Sequence, residues 1–312
     1  MTKVMLTGAT GFVGSALMAA LAHYPAIHIV TAVRKGGLGS DSVVVGNING
    51  CTDFSKALDG IDVVIHAAAR AHIMRDEVDD PLAEYRKVNV DGTLNLARQA
   101  VAAGVRRFVF VSSIKVNGEG TAVGNAFQAG DVPAPEDDYG ISKLEAELGL
   151  MELVKETGME WVIIRPPLVY GPGVKGNFAS MIKLVDKGVP LPLGAIHNQR
   201  SLVGIHNLID LVLRCIDHPA AANHIFLASD GEDLSTTQLL RGVGRAMGKP
   251  VRLIPVPAGL LQFGASLLGK KAMAKRLLGS LQVDISKTCK LLEWKPPYTV
   301  EEGLRLCFES SN

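Results

Sequence analysis

Thr7-Gly8-Ala9-Thr10-Gly11-Phe12-Val13-Gly14 sets three glycines at GxxGxxG spacing between an apolar run, Lys3–Thr7, and helical patterning near residues 12–23. A strand that turns through glycines into a helix is a phosphate cradle. Glycine permits the tight turn and the close approach of backbone to an anion, and the helix N-terminus offers N–H groups without intrahelical partners. Gly8, Gly11, Phe12, Val13 and Gly14 are therefore candidate dinucleotide contacts.

Outward from the cradle, β-rich runs alternate with helical ones. Ile27–Val33, Ser42–Val45, Asp62–Ala67, Arg107–Ser112 and Met159–Arg165 read as strands, and segments near 80–104 and 136–157 as helices. Runs such as Asp62-Val63-Val64-Ile65 are apolar on both faces, which predicts a parallel sheet covered on both sides. The expected fold is α/β, a Rossmann-type doubly wound parallel sheet with a smaller C-terminal substrate lobe. Residues 1–165 form the dinucleotide-binding domain, with segments near 200–230 returning to it, and 166–312 the lobe.

Composition narrows the classes of function. In 312 residues, 47% are hydrophobic and 20% charged, and the net charge is +1, so no global field draws the chain to nucleic acid or an anionic membrane. Four dispersed cysteines and scattered histidines (His66, His72, His197, His206) show no metal-site spacing and suit a cytoplasmic protein. No signal peptide is expected at the N-terminus. Leu253 to Gly269 is uncharged but broken by Pro255, Pro257 and three glycines, so no integral membrane segment is expected. Lys270, Lys271, Lys275 and Arg276 follow it and leave an interfacial contact open, against a helical lobe packed on the main domain.

After the second strand, NAD enzymes usually carry a carboxylate for the ribose 2′-hydroxyl. Residues 1–40 contain no Asp or Glu; Arg34 and Lys35 stand there instead and suit a 2′-phosphate. NADP(H) is the preferred cofactor, with NAD(H) possible.

Tyr139-Gly140-Ile141-Ser142-Lys143 spaces a phenol and an ammonium by one helical turn. A neighbouring cation favours phenolate, and bringing a tyrosine near neutrality takes roughly 4 kcal/mol. Ser112-Ser113 ends a strand, where open parallel sheets bind ligands, so a hydroxyl there can hold the carbonyl oxygen that Tyr139 protonates.

TGATGFVG (7–14), VIHAAA (64–69), NVDGT (89–93), VSSIKVNG (111–118), YGISK (139–143) and RPPLVYGPG (165–173) together resemble the extended short-chain dehydrogenase/reductase superfamily, in its sugar-nucleotide epimerase/dehydratase branch. The resemblance implies Ser113 as the catalytic hydroxyl, Tyr139 as acid/base and Lys143 as its partner and ribose ligand. It implies cofactor contacts at Asn47, Ile48, Ala67, Ala68, Ala69, Asn89 and Pro166, and a homodimer. Dehydratases of the branch carry Asp-Glu after the hydroxyl residue; here Ile114-Lys115 follows Ser113, which disfavours dehydration.

Within that branch the details resemble bacterial O-antigen 4-ketoreductases. The expected reaction is NADPH-dependent reduction of a UDP-2-acetamido-2,6-dideoxy-4-hexulose; the alternative is a UDP-hexose 4-epimerase with tightly bound NAD. A non-catalytic NADP-binding sensor is a further alternative, disfavoured by the intact Ser-Tyr-Lys set. His72, Ser113, Asn177, Phe178, Arg200 and Arg276 are the candidate contacts to a UDP-sugar.

Overall fold

The computed structural model describes residues 1–36, 39, 41–70 and 79–309. The strands are β1 (Thr2–Thr7), β2 (Ile27–Val33), β3 (Ser42–Val44), β4 (Val63–His66), β5 (Arg107–Val111), β6 (Glu160–Arg165), β7 (Leu168–Tyr170), β8 (Arg200–Gly204), β9 (His224–Leu227) and β10 (Asp233–Leu234). The helices are α1 (Phe12–Leu21), α2 (Pro81–Tyr85), α3 (Gly92–Ala102), α4 (Asp138–Val154), α5 (Asn177–Asp186), α6 (Ile205–Asp217), α7 (Thr236–Ala246), α8 (Ala258–Leu267), α9 (Lys271–Leu278), α10 (Ser286–Leu292) and α11 (Val300–Leu306).

Seven strands make one sheet in the order β3-β2-β1-β4-β5-β6-β9, with every pair parallel. This is the Rossmann-like doubly wound α/β fold. The central strands are apolar on both faces because both faces are covered: β4 and β5 are buried along their whole length. Leu17, Leu21, Leu208 and Leu211 of α1 and α6 pack on one side. Phe54, Leu96, Ala100 and Leu150 pack on the other, with α3 and α4. α6 and β9 come from the second half of the chain, so the segment after β8 rejoins the first sheet.

A second, three-stranded sheet (β10-β8-β7) carries the lobe, whose core gathers Tyr170, Phe178, Leu202, Leu240 and Leu304. The Tyr170 hydroxyl donates to Asp230 at 2.7 Å. In place of one regular helix over 80–104, the chain makes a π-turn at Arg86–Asp91 between α2 and α3. That turn lets the buried Asn89 spend its side chain on tertiary bonds, while the Thr93 hydroxyl donates to its carbonyl at 2.7 Å.

The strand order reverses between β1 and β4. Such a switch point leaves a crevice beyond the strand ends, since the helices that follow β1 and β4 diverge to opposite faces.

Candidate active site

The crevice is a cleft of about 500 Å3, lined by Gly8, Gly11, Arg34, Asn47, Ile48 and Ala67–Ala69 among others. Gly8 lies at φ +75°, and a Cβ there would stand 2.7 Å from the Ala68 nitrogen. At Gly14 a Cβ would meet the Gly8 carbonyl oxygen at 2.0 Å. Glycine at these positions lets α1 seat directly on the turn. No side chain caps α1 and no acidic residue occupies its first turn, so its N–H groups and dipole remain open to an anion. Cleft, bare helix end and basic Arg34 fit a nicotinamide dinucleotide.

The cleft did not take every residue expected of it. Phe12 and Val13 pack against the core below α1, and Lys35 is exposed outside the lining. Asn89 is a correction. Its side-chain oxygen accepts from the Arg70 N–H at 2.8 Å, and its amide donates to the Ser142 hydroxyl at 3.0 Å. It positions the cleft wall and, through Ser142, the Tyr139 carbonyl, to which the Ser142 hydroxyl donates at 2.8 Å. Pro166 is buried, and its carbonyl accepts from Ile114 N–H at 2.9 Å, tying β6 to the turn that carries Ser113.

Ser113 caps a short 3-10 turn, Ile114–Val116, at the end of β5 and is half-buried. Tyr139 stands in the first turn of α4, which begins because the Asp137 side chain accepts from Gly140 N–H at 2.8 Å. A Cβ on Gly140 would stand 2.8 Å from the Lys115 carbonyl oxygen, so glycine is what allows α4 to approach the Ser113 turn. Lys115 pairs with Asp137 across the same seam.

Lys143, one turn after Tyr139, is 2% exposed. Its Nζ donates to the Val111 carbonyl at 2.9 Å and lies 4.4 Å from the Phe110 ring centre. Burial pulls its pKa from 10.5 down to about 7, against a smaller upward pull from Glu147. Tyr139 goes the other way: shielding of its hydroxyl, with Asp137 and Tyr85 nearby, pushes its pKa above the ordinary phenol range. The expected lowering of Tyr139 by Lys143 is not found: burial dominates at the phenol. A lysine that is itself half neutral at pH 7 supplies little field.

Beneath the site runs a buried polar chain that the sequence reading missed. Ser112 donates to Glu147, Glu147 accepts from Arg165 Nε at 3.0 and 3.1 Å, and Arg165 reaches the Asn117 side-chain oxygen at 2.9 Å. Glu147 lies four residues after Lys143 on the same buried helix face, a spacing that could have flagged it. His66 is likewise internal. Its Nδ1 lies 2.7 Å from the Thr7 hydroxyl and its Nε2 2.9 Å from the Thr93 hydroxyl. Because Thr93 donates to the Asn89 carbonyl, Nε2–H must donate to Thr93 and Nδ1 accept from Thr7. Burial, then Lys143, pulls its pKa to about 3, so the ring is neutral.

The lobe candidates divide. Phe178 is a correction: it is fully buried, its ring 5.5 Å from that of Tyr170, and belongs to the lobe core. Asn177 is exposed at the start of α5. Arg200 and Arg276 are brought together, with Arg200 Nη1 donating to the carbonyls of Arg276 at 3.1 Å and Gly279 at 3.0 Å. His72 lies outside the described residues. Among the described residues no group of three or more His, Cys, Asp or Glu could hold a metal.

The family's profile spans residues 4–228, from β1 through β9. The chain belongs to the NAD dependent epimerase/dehydratase family. It is 52% identical over 306 residues to a UDP-glucose 4-epimerase of Vibrio cholerae, covering 97% of this chain and 93% of that protein. Its fold matches UDP-glucuronic acid 4-epimerase from Bacillus cereus in complex with NAD, at TM-score 0.78 and 24% identity over 98% of this chain and 97% of that one. It also matches RMD from Pseudomonas aeruginosa complexed with NADPH, at TM-score 0.74 and 21% identity over 98% of each chain. Those two likenesses show the shared fold. The 52% relative favours the epimerase alternative over the reductase that the sequence first suggested.

Proposed function

We propose that this family member interconverts the C4 epimers of a UDP-linked hexose. The observation that carries the reading is the 52% identity, across almost the whole chain, to the UDP-glucose 4-epimerase of Vibrio cholerae. The Ser113, Tyr139 and Lys143 set and the absence of Asp-Glu after Ser113 agree with it.

The bound dinucleotide would supply a reversible hydride acceptor for C4. Gly8, Gly11, Gly14, Arg34, Asn47, Ile48 and Ala67–Ala69 would hold it. Tyr139 takes the proton of the C4 hydroxyl as the sugar is oxidised, and Ser113 Oγ holds the same oxygen. Once the sugar turns its other face inward, Tyr139 returns the proton to that oxygen. Arg200, beside Arg276, takes the diphosphate. We extend the reading to a cytoplasmic homodimer paired through α3 and α4, where Leu148 is exposed.

A second reading, NADPH-dependent reduction of a UDP-linked 4-keto-6-deoxy amino sugar, is favoured by one observation. Arg34 lines the cleft, and residues 1–40 offer no carboxylate to a ribose 2′-hydroxyl. One experiment separates the two. Purified protein is given UDP-glucose or UDP-galactose, and separately UDP-2-acetamido-2,6-dideoxy-4-hexulose with NADPH or NADH. Interconversion of the hexoses without net cofactor consumption is expected. Stoichiometric NADPH oxidation with no interconversion overturns the epimerase reading, and an R34E variant then loses NADPH affinity while keeping NADH affinity.

A further inference from the structure

α8 departs from every other long helix in the chain: not one of its ten residues is buried, although its sequence, Ala258-Gly-Leu-Leu-Gln-Phe-Gly-Ala-Ser-Leu267, contains no charge. Leu260 is 64% exposed, Phe263 65%, Leu267 73%, Leu268 72% and, on α9, Met273 56%. Contiguous apolar exposure of this kind marks a surface that something covers.

The hairpin is tied to the lobe at both ends: before α8, Ile254 N–H donates to the Leu191 carbonyl at 2.8 Å and Gly194 N–H to the Ile254 carbonyl at 2.9 Å. Gly269, at φ +67°, turns α8 into α9. α9 is then anchored: Ala274 is buried, the Thr236 hydroxyl donates to the Leu277 carbonyl at 2.6 Å, and the Asn198 amide donates to the Gly279 carbonyl at 2.8 Å. Between these anchors α8 leaves Leu260, Phe263 and Leu267 exposed.

Charge identifies what the apolar face meets. Lys270 and Lys271 are exposed at the hairpin tip, with Lys275 and Arg276 one turn on. Lys275 is bonded to Glu136 at 2.5 Å. From Leu234 to Val283 there is no Asp or Glu at all, while Arg241, Arg245, Lys249, Arg252, Lys270, Lys271, Lys275 and Arg276 fall within it. Of these, Lys270 and Lys271 adjoin the exposed residues of α8 and Lys275 and Arg276 lie on α9, whereas Lys249 is paired with Asp186. Helices of ten and eight residues are too short to span a bilayer. An apolar face rimmed by lysines is the pattern of a segment that lies in the headgroup layer of an anionic membrane.

We propose that the α8–α9 hairpin docks this protein onto anionic bilayer surfaces, with Phe263, Leu267 and Leu268 entering the headgroup boundary and Lys270 and Lys271 meeting lipid phosphates. The inference is independent of which sugar the active site takes. Because Arg200 is bonded to the carbonyls of α9 and the following turn, docking would set the proposed diphosphate site beside the membrane.

The test is flotation of the purified full chain with phosphatidylglycerol/phosphatidylethanolamine vesicles and with phosphatidylcholine vesicles. Binding is expected to the anionic vesicles and to weaken with salt. F263E/L267E should reduce it at least tenfold, and K270Q/K271Q by about fivefold per charge removed. Melting temperatures within a few degrees of wild type would show that these exposed substitutions leave the fold intact. Failure to float with anionic vesicles overturns the proposal, as does equal binding by F263E/L267E. So does a wild-type dimer that F263E/L267E converts to monomer with no vesicle binding in either form, because the face would then be a contact between two copies of this chain.

Discussion

Replacing Lys143 by methionine should stabilise the protein while abolishing turnover. The amine is buried with one carbonyl partner, Val111, at 2.9 Å, and a ring face, Phe110, beneath it. Its pKa falls from 10.5 unfolded to about 7 folded. That gap corresponds to about 5 kcal/mol of differential stabilisation of the neutral amine. Between pH 7 and 10.5 the unfolded chain binds more protons at this site than the folded one, so stability rises with pH across that window. The cost of burying the ammonium is complete below pH 7 and gone above pH 10.5. Methionine fills similar volume and carries no charge, but it forfeits the bond to Val111 and the ring contact, together about 2–3 kcal/mol. The net gain is therefore about 2 kcal/mol at pH 6–7, or about 3–6 °C in melting temperature, and it reverses sign by pH 10. His66 contributes a separate slope at lower pH. Its folded pKa of about 3 makes stability fall as pH drops from 6.5, less steeply in K143M, where burial alone holds the ring neutral. Thermal melts of wild type and K143M at half-unit steps from pH 6 to 10 measure the difference. A gap that stays constant with pH, or a variant less stable at pH 6, refutes the reasoning.

Glu147→Gln should destabilise by about 3–5 kcal/mol in chemical denaturation, because it leaves the Arg165 guanidinium charged and buried without its carboxylate. Gly140→Ala should cost about 1–3 kcal/mol in stability and at least about tenfold in kcat, since the new methyl meets the Lys115 carbonyl and Pro135 and tilts Tyr139 away from Ser113. Cofactor affinity, read by fluorescence titration, should be unchanged in that variant. Phe178→Ala should cost about 3–5 kcal/mol as a cavity in the lobe core and leave the KM for sugar nucleotide within a few-fold. A rise in KM without loss of stability would return Phe178 to the substrate.

The sheet was legible because parallel strands covered on both faces are mainly apolar, as the middles of β4, β5 and β6 are, with His66, Arg107 and Arg165 buried at their ends. Ile27–Val33 was read to the residue; Ser42–Val45 and Asp62–Ala67 overran at ends where the chain leaves the ladder. The glycine cradle was legible because backbone contact with backbone admits no other residue. What sequence could not separate is the two meanings of a buried side chain. Phe178 stands beside Asn177 in a segment rich in turns, and only the fold shows that its ring stacks on Tyr170 while Asn177 stays exposed. Asn89 looks like a ligand contact by position, yet its amide is spent holding Arg70 and Ser142. The choice between reductase and epimerase was harder still, since the proposed Ser113, Tyr139 and Lys143 set would serve both.

The buried face of α4 bears on how a phenol pushed above its ordinary range would serve the proposed reaction near neutral pH. Glu147 would be the natural counter-ion for Lys143, one turn away, but its oxygens are taken by Arg165 and Ser112. Lys143 is left to lose its proton near pH 7. Above that pH the Tyr139–Lys143 pair holds one proton fewer, and a neutral phenol beside a neutral amine has the same proton count as a phenolate beside an ammonium. In the proposed reaction the base would then be reached by moving one proton between the two groups, so its formation would titrate with the amine rather than with an isolated phenol. In the direction that oxidises the sugar, kcat/KM should climb with an apparent pKa near 7 and level off above it. A rate that keeps climbing tenfold per pH step to pH 9 or beyond would show Tyr139 titrating alone, and the pair would have no part in setting the working pH.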